Sequence, residues 1–399
     1  MNRRIVLVMS QFPFDPASGA ARSLRTMCEM LPPLGWDVCV VGNLRSGAAS
    51  GDEPLAMLSK SGISAREEHG PTGAGSLRFV HKGVEYCLTR EAGSAERSEK
   101  DLTSLLEAVS ADFAPEVALT MGGSTWDRAR RAGLRERGTP VVFGLRNHGY
   151  YHHAAFEDVD AVLTPSVFLS ECYRKRLGLR STPLPTPISR EDSVASEHHQ
   201  LYFTFVNPSW HKGVGFFSAL LRHLAAARSD IPFLVVESLS DASSVVLSGG
   251  AGPEEWRSFD HVAVSRPVHR PADFFAPTRC LLVPSVWEEP SARVVAEALC
   301  NHLPVIASDR GGLPESVGNG GWALPIPSRL APETIDRVDP DEPEVVAWAS
   351  LIERLADDEH AYAAACRNAA KSSARFDPFV LGPKYAAFFE GVTLGSSVW

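Results

Sequence analysis

The chain lacks the excess of basic residues that nucleic-acid binding requires. It carries 39 Lys and Arg against 48 Asp and Glu, a formal net charge of −9 over 399 residues. A general nucleic-acid binder needs a basic face that releases counterions from phosphates, so no nucleic-acid partner is expected. One basic segment, "RARRAGLRER" at 128–137, is predicted to be a solvated helix end, with a contact to anionic lipid as the alternative.

Cysteine is sparse and forms no pairing motif. The count is odd and no C-x-x-C occurs; the residues are Cys28, Cys39, Cys87, Cys172, Cys280, Cys300 and Cys366. Most of them fall in apolar strand or helix patterns, where cysteine acts as a small hydrophobic residue. This usage is typical of a protein in the reducing cytoplasm.

Long apolar runs are also missing from the sequence. No apolar stretch approaches the ~20 residues that a membrane-spanning helix needs. The N-terminal "MNRRIVLVMSQ" has the basic start of a signal peptide, but its apolar run, Ile5–Met9, is too short for the hydrophobic region of one. The sequence therefore predicts a cytoplasmic protein, at most peripheral to the inner membrane.

Short apolar runs alternate with helical patterns along the chain, without any repeat of fixed period. The predicted helices cover 101–110, 166–177, 214–227, 291–300 and 343–356. A hairpin is predicted at 77–88, turning at Lys82-Gly83. The chain is too long for one core, and the alternation predicts two doubly wound α/β domains with parallel sheets. The Pro-rich segment at 180–192 is the predicted linker between a domain at 1–182 and a domain at 190–376.

Ligands of open parallel sheets bind beyond the carboxyl ends of the strands, so the residues that follow each strand are candidates. After the first strand, Gly19 precedes a helix, where backbone N–H groups can approach an anion; the alternative is a plain turn glycine. After Val141–Phe143, His148 precedes Gly149 and is a candidate to orient or donate to a substrate oxygen, or a polar loop residue.

Neither a metal nor a dinucleotide is predicted. The first loop is not G-x-G-x-x-G, which disfavours a dinucleotide. His148, His152 and His153 have no acidic or Cys partner at a fixed spacing, which disfavours a metal site. The "DVD" at 158–160 precedes an apolar run and is interpreted as the start of a strand.

In the second domain, the strand "LYFTFV" is followed by "NPSWHKGV". Lys212-Gly213 opens a helix there, which puts a cation and free N–H groups at one point. Together these groups suit a diphosphate, and the alternative is a surface lysine at a turn.

The segment "WEEPSARVVAEAL" at 287–299 places two acids around a helix start. Pro290 is predicted where the helix begins and Ser291 as its cap. Along a helix Glu289 and Glu297 would be ~12 Å apart, beyond the ~5–9.5 Å of a hydrolase carboxylate pair. Two carboxylates that accept hydrogen bonds from different hydroxyls of one extended ligand fit better; the alternative is that Glu297 is a solvated helix residue.

The strand that follows leads into "SDRGGLPE" at 308–315. Gly311 and Gly312 are predicted to let the backbone approach a ligand closely. Glu315 is expected to have a structural role, with a contact to the sugar as the alternative.

At this point the residues resemble a known family. "PSVWEEPSARVVAEALCNHLPVIASDRGGLPE" at 284–315 resembles the signature of retaining glycosyltransferases of family 4, which have the GT-B fold, and its E-x7-E element matches Glu289 and Glu297. "FVNPSWHKGV" is similar to their phosphate-binding lysine segment. Where the family often has E-G-F-G and an arginine before the lysine, this chain ends the first motif in Ala292 and has Asn207 near the second.

The resemblance implies a fold and a division of labour. Two Rossmann-like domains would face a cleft, and the last helix, near 379–392, would cross back to the first domain. Residues 1–182, joined by 379–399, would bind the acceptor, and residues 190–376 the nucleotide-sugar donor. The loops 44–75 and 121–127 would then contact the acceptor.

The resemblance also implies roles for single residues. Glu289 would contact the donor sugar's hydroxyls, Glu297 the ribose, and Lys212 the diphosphate. His148 would lie near the anomeric centre, and Gly19 would let the first loop meet the phosphates. Donor-binding positions complete the set: Asn207, Ser291, Ala292 and Arg293.

The sequence thus predicts a retaining glycosyltransferase that uses a nucleoside-diphosphate sugar, of UDP or GDP type. No cofactor or metal is expected, because Lys212 and the N–H groups of the helix starting at residue 291 would stabilise the leaving phosphate. The sequence does not identify the acceptor, and a glycan, a lipid and a small molecule are the alternatives. The alternatives are an epimerase or hydrolase of the same fold, or a non-catalytic nucleotide-sugar-binding protein.

Overall fold

The computed structural model describes the chain except for residues 1, 16–17, 46–51, 70–74, 91–92, 226, 239, 244–260, 269, 333–337 and 396–399. Contacts divide the chain into two compact units. Unit 1 comprises Met1–Pro187 and Pro378–Trp399, and unit 2 comprises Ile188–Asp377. The first boundary lies between the predicted domain ends, 182 and 190, and the second lies between the predicted 376 and 379.

The strands among the described residues are β1 Arg3–Val8, β2 Trp36–Asn43, β3 Arg66–His69, β4 Gly75–His81, β5 Val84–Thr89, β6 Val117–Thr120, β7 Val141–Gly144, β8 Ala161–Thr164, β9 Thr182–Pro183, β10 Tyr202–Val206, β11 Phe233–Val236, β12 Val262–Ser265, β13 Thr278–Val283, β14 Val305–Ser308 and β15 Gly321–Leu324. The first nine belong to unit 1 and the other six to unit 2.

The α-helices of the described ranges are α1 Gly19–Glu29, α2 Asp52–Lys60, α3 Ala95–Phe113, α4 Thr125–Glu136, α5 Val167–Leu177, α6 Arg190–Ser193, α7 Val214–Ala225, α8 Pro271–Phe275, α9 Arg293–Cys300, α10 Leu313–Val317, α11 Pro343–Asp357, α12 Glu359–Ser373 and α13 Pro378–Thr393. Short 3-10 turns cover Pro32–Leu34, His153–Phe156, Gly318–Gly320 and Ala374–Phe376.

The sheet of unit 1 has the order β3-β4-β5-β2-β1-β6-β7-β8-β9. From β5 to β9 all neighbours are parallel, and β3 and β4 add an antiparallel edge. The predicted hairpin is confirmed, because β4 and β5 turn at Lys82 and Gly83, both with positive φ (49° and 76°). Strands β2 to β5 lie on one side of β1, and β6 to β9 lie on its other side. The switch point of the sheet is therefore between β1 and β6.

Both faces of this sheet are covered, as an apolar run on a parallel strand requires. On β1, Ile5 and Leu7 belong to one buried cluster with Leu24 of α1. Val6 and Val8 belong to another with Leu102 of α3. The last helix, α13, packs in unit 1, where Tyr385, Phe388 and Phe389 join the cluster of α1.

Unit 2 is a fully parallel sheet with the order β12-β11-β10-β13-β14-β15. This is the doubly wound order 3-2-1-4-5-6, with the switch point between β10 and β13. Helices α7 and α11 cover one face, where Phe216 and Trp348 pack edge to face at 5.2 Å between ring centroids. Helix α9 covers the other face.

Several predicted elements differ from the structure. The helix predicted at 101–110 extends over Ala95–Phe113, because Ser94 caps its start by accepting the N–H of Arg97. The helix predicted at 291–300 begins at Arg293. The predicted linker at 180–192 contains β9 and the start of α6, and the boundary between the two units falls within it, after Pro187. The helices predicted at 166–177, 214–227 and 343–356 are confirmed, with small differences at their ends.

Candidate active site

Two loops of unit 2 flank its switch point. One, 207–213, follows β10, and the other, 284–292, follows β13. Because β10 and β13 are parallel neighbours, both loops leave the sheet at the same edge. Lys212 and Glu289, far apart in sequence, are therefore brought together.

The Lys212 ammonium forms an ion pair with Oε1 of Glu289. The same oxygen accepts the hydroxyl of Ser285 at 3.0 Å. The Glu289 side chain is 8% exposed and that of Lys212 is 33% exposed. The carboxylate is thus held inside the loop while the lysine still reaches solvent.

Backbone hydrogen bonds fasten the two loops to each other. The N–H groups of Val286 and Trp287 both donate to the carbonyl oxygen of His211, at 3.1 and 3.2 Å. The rings of His211 and Trp287 meet edge to face at 5.9 Å. Lys212 follows His211 directly, so its backbone position is set by the loop that carries Glu289.

Gly213 permits this close approach. Its φ is +82°, and a Cβ built there would lie 1.8 Å from the carbonyl oxygen of Pro284. No side chain fits at that distance, so glycine is required for packing as well as for conformation. Helix α7 begins at the next residue, and Phe217 donates its N–H to the Gly213 carbonyl at 3.0 Å.

A third loop, after β14, packs against the backbone of the Glu289 loop. Gly312 donates its N–H to the Glu289 carbonyl at 2.7 Å. Gly311 has φ +58°, and a Cβ there would lie 2.6 Å from the Glu289 nitrogen. The sequence predicted that these glycines bring backbone close to a ligand. In the structure the close approach is to the backbone of residues 288–290.

The predicted cap of α9 is wrong. Ala292 is the N-cap residue, and no side chain caps the helix; Pro290 and Ser291 lie before it in the loop. The loop before it is held by hydrogen bonds to the His211 carbonyl and from the Gly312 N–H, and the Ala292 carbonyl accepts the N–H of Val295 at 3.1 Å. Arg293 is the first helical residue.

Glu297 is buried, so the alternative that it is a solvated helix residue is wrong. Its Oε1 accepts the Nε–H of Arg293 at 2.9 Å and the hydroxyl of Ser193 at 3.3 Å. Asn301 joins the same two helices, donating to the Ser193 carbonyl at 2.7 Å. Glu297 therefore has partners from α6 and α9, whereas those of Glu289 come from the two switch-point loops.

Asn207 is placed at a turn of the same edge. It has φ +60°, donates its N–H to the Val236 carbonyl at 2.8 Å, and its side-chain oxygen accepts the N–H of Ser240 at 3.2 Å. These contacts join the loops after β10 and β11. Its donor-binding role stays a prediction.

In unit 1, Gly19 is the first residue of α1, which Ser18 caps by accepting the N–H of Ala21 at 3.2 Å. A Cβ at Gly19 would have no neighbour within 4 Å, so packing among the described residues does not explain the glycine. His148 lies in the loop after β7, and its Nδ1 is 2.6 Å from the hydroxyl oxygen of Tyr151.

The structure corrects the prediction that the basic segment at 128–137 is a solvated helix end. Arg130 and Arg131 are 4% and 0% exposed, so the segment is not simply a solvated helix end. Arg130 forms ion pairs with Glu99 and Asp127 and donates to the Ser10 hydroxyl at 3.0 Å. This network lies beside the switch point of unit 1, since Ser10 follows β1.

One member of this network has a signal in the sequence. Ser124 and Asp127 form a capping box at the start of α4, and the S-x-x-D spacing predicts such a box. Arg131 donates to the carbonyls of Gly122 and Ala155 at 2.9 and 3.1 Å. Burial lowers the pKa of its guanidinium. Arg131 thus joins the loop after β6 to the turn after β7.

The described part of the chain has neither a metal-binding cluster nor a membrane-spanning helix. Within those ranges no group of three or more His, Cys, Asp or Glu side chains could hold a metal ion. None of the described helices has the length and apolar character to cross a membrane. Of the loop predicted to contact an acceptor at 44–75, residues 46–51 and 70–74 lie outside the described residues.

Comparison with known proteins places the site in a recognised domain. Residues 204–339, which include both switch-point loops, match the family described as glycosyl transferases group 1. No curated protein gives a significant sequence match.

Solved structures are similar over nearly the whole chain. Sucrose-phosphate synthase from Thermosynechococcus elongatus has a TM-score of 0.66 at 17% identity, covering 99% of this chain and 100% of that one. HepE from Anabaena has a TM-score of 0.65 at 14% identity, covering 97% and 99%. The catalytic domain of starch synthase IV from Arabidopsis thaliana has a TM-score of 0.68 at 11% identity, covering 99% of both chains.

These likenesses show the GT-B fold, with its two Rossmann-like domains, for the whole chain. The group 1 domain match, on a chain with this fold, indicates a glycosyltransferase.

The close approach at Gly213 gives a test of the site's construction. We expect Gly213→Ala to lower the free energy of unfolding by about 2–5 kcal/mol, because left-handed strain of ~1–2 kcal/mol and overpacking of ~1–3 kcal/mol both apply. Gly178→Ala is the matched control, since Gly178 has φ +63° but no atom within 4 Å of a Cβ. It should lose only the ~1–2 kcal/mol of strain. Equal losses in urea denaturation would show that the contact with Pro284 does not matter.

Proposed function

We propose that the protein moves a sugar from a nucleoside-diphosphate sugar to an acceptor, with retention of anomeric configuration and without a metal. The observation that carries the proposal is the Lys212–Glu289 pair at the switch point of the group 1 domain. A cation and a carboxylate side by side match a ligand in which a phosphate and a sugar are covalently adjacent.

Each side of the pair suits one part of such a donor. The Lys212 ammonium pairs with the diphosphate, whose negative charge grows as the anomeric bond breaks. The Glu289 carboxylate accepts hydrogen bonds from sugar hydroxyls. Because Ser285 and the backbone of Gly312 already hold the Glu289 loop, little reorganisation is needed when the donor arrives.

The start of α9 adds a second source of positive charge. The backbone N–H groups of Ser291, Ala292 and Arg293 lie at or just before the first turn, where the helix dipole favours an anion. We assign them, with Lys212, to the leaving phosphate. This assignment supplies the charge stabilisation that a metal ion gives in other phosphate-releasing enzymes.

The names of the structural neighbours support the donor class. HepE is described in complex with UDP-glucose, and the Arabidopsis starch synthase as bound to ADP and acarbose. For this chain we propose a UDP or GDP sugar as donor. Glu297 is assigned to the ribose hydroxyls, which would share the carboxylate with Arg293 and Ser193.

Unit 1 is assigned to the acceptor, a glycan, a lipid or a small molecule. Its switch point carries Ser10 and the 121–124 loop, which Arg130, Arg131 and Asp127 hold in place. Gly19 and His148 are assigned to the reacting end of the donor. The cytoplasmic location and a peripheral membrane contact stay predictions of the sequence.

A panel of UDP-, GDP- and ADP-sugars tests the proposed function. We expect slow donor hydrolysis that accelerates when an acceptor is added, because transfer needs both substrates. Conversion of the donor to an isomer would identify an epimerase instead. Tight binding without turnover would identify a non-catalytic nucleotide-sugar-binding protein.

Removal of the lysine tests the phosphate assignment. We expect Lys212→Ala to lower kcat by ~10²–10³, the loss typical when one preorganised charge-stabilising group is removed. The matched control is Lys371→Ala, which removes an exposed lysine of α12 in the same unit. Wild-type turnover by Lys212→Ala with the best donor of the panel would remove Lys212 from the mechanism.

The stereochemistry of the product tests the retaining assignment. We expect proton NMR of the product, recorded at early times, to show the anomeric configuration of the donor. The coupling constant of the anomeric proton is the measurement. An inverted product would contradict the assignment and leave the donor class intact.

A further inference from the structure

The loop after β7 contains a hydrogen-bonded pair that the proposed function does not explain. Nδ1 of His148 and the hydroxyl oxygen of Tyr151 are 2.6 Å apart. Their rings stack at 5.9 Å between centroids, with 29° between the planes. The ring of Phe168, from α5, packs edge to face with the imidazole at 6.0 Å between centroids. The imidazole therefore has one defined partner at Nδ1 and an aromatic neighbour from the adjacent helix.

Tyr173 of α5 fixes the backbone on both sides of His148. Its hydroxyl donates to the carbonyl of Asn147 at 2.9 Å and accepts the N–H of Tyr150 at 3.0 Å. Burial raises the pKa of Tyr173 to about 12, so the hydroxyl keeps the proton that it donates. The Asn147 side chain also accepts the N–H of Gly149 at 2.8 Å. The loop is therefore held on a helix through a buried phenol.

The Tyr151 ring is held as firmly as the loop. It stacks on Tyr173 at 4.4 Å between centroids, and the guanidinium carbon of Arg176 lies 4.2 Å from its centroid. Both contacts restrict the rotamer that brings the hydroxyl to His148. The nearby cation also withdraws electron density from the phenol, which makes its hydroxyl a better hydrogen-bond donor.

We infer that Tyr151 is a positioning residue, whose hydroxyl donates to Nδ1 of His148 and holds the neutral imidazole in the tautomer protonated at Nε2. The physical reason is that a neutral imidazole has one donor and one acceptor nitrogen, and a partner at one nitrogen decides which is which. A phenol that donates to Nδ1 makes Nε2 the donor. An Nε2–H group suits an oxygen ligand, such as a sugar hydroxyl or a phosphate oxygen.

The inference deepens the proposed function, since it rests on the assignment of His148 to the reacting end of the donor. In that setting the Tyr151 hydroxyl gives a donating imidazole before the substrate arrives. An imidazole with free choice of tautomer would lack the proton at Nε2 for part of the time. The expected loss on removal of the hydroxyl therefore falls on kcat.

Nitrogen-15 NMR of the histidine side chains tests the tautomer directly. The chain has 13 histidines, and comparison with His148→Gln identifies the signals of His148. We expect a protonated Nε2 and an unprotonated Nδ1 in the wild-type protein, and a mixture of tautomers in Tyr151→Phe, which keeps the ring and loses the hydroxyl. A wild-type imidazole protonated at Nδ1, or a tautomer unchanged in Tyr151→Phe, would overturn the inference.

Kinetics test whether Tyr151 acts through His148. Tyr151→Phe should lower kcat about five- to tenfold, the loss of one neutral hydrogen bond, with KM nearly unchanged. The double variant, with both Tyr151→Phe and His148→Gln, should be no slower than His148→Gln alone, because the two residues act as a unit. Multiplied losses would overturn the inference. Tyr202→Phe, at the amino end of β10 in unit 2, is the matched control and should retain full activity.

The two measurements separate this inference from the proposed function. The tautomer of His148 can be read without any turnover. Absence of transfer with every donor would reject the proposed function, while the NMR result would still decide the role of Tyr151.

Discussion

The candidate site depends on one close contact, in which the backbone at Gly213 lies against the Pro284 carbonyl. Without a Cβ at residue 213, the two loops that leave the sheet at the switch point can share backbone hydrogen bonds through His211. The Lys212–Glu289 ion pair is a consequence of that contact. A partly exposed pair of this kind contributes little to stability, so its value lies in holding a charge at a defined place.

In both units, polar groups gather at the carboxyl edge of a parallel sheet. Their parallel strands are covered on both faces by helices, which leaves the carboxyl edge as the place where polar side chains gather. In unit 2 the edge is organised by three loops that share backbone hydrogen bonds. In unit 1 it is organised by buried side chains, since Arg130 donates to Ser10, Arg131 to the Gly122 carbonyl and Tyr173 to the Asn147 carbonyl.

Much of the architecture could be predicted from the sequence because apolar periodicity reports burial. The alternation of strands and helices, the hairpin at Lys82-Gly83, and α5, α7 and α11 follow from local pattern and turn chemistry. The start of α9 was predicted two residues early. The local sequence Pro290-Ser291 favours a helix start, but the loop is held by hydrogen bonds that Val286 and Trp287 donate to the His211 carbonyl and that Gly312 donates to the Glu289 carbonyl. Residues distant in sequence therefore overruled a local preference.

For the candidate site, too, the sequence identified residues and the tertiary structure showed their contacts. Spacing identified Glu289 and Glu297 as a pair and Lys212 as a cation at a helix start, since each follows a strand. Only the tertiary structure showed that Lys212 contacts Glu289 directly, while Glu297 is buried against Arg293 and Ser193. The sequence also left Arg130 and Arg131 as solvated residues, because a run of charges does not reveal which members find buried carboxylate or carbonyl partners. The sequence by itself determined which segments form strands and helices and where polar residues follow them. The three-dimensional structure decided which of those residues meet, because strand order and loop packing join positions that have no relation along the chain.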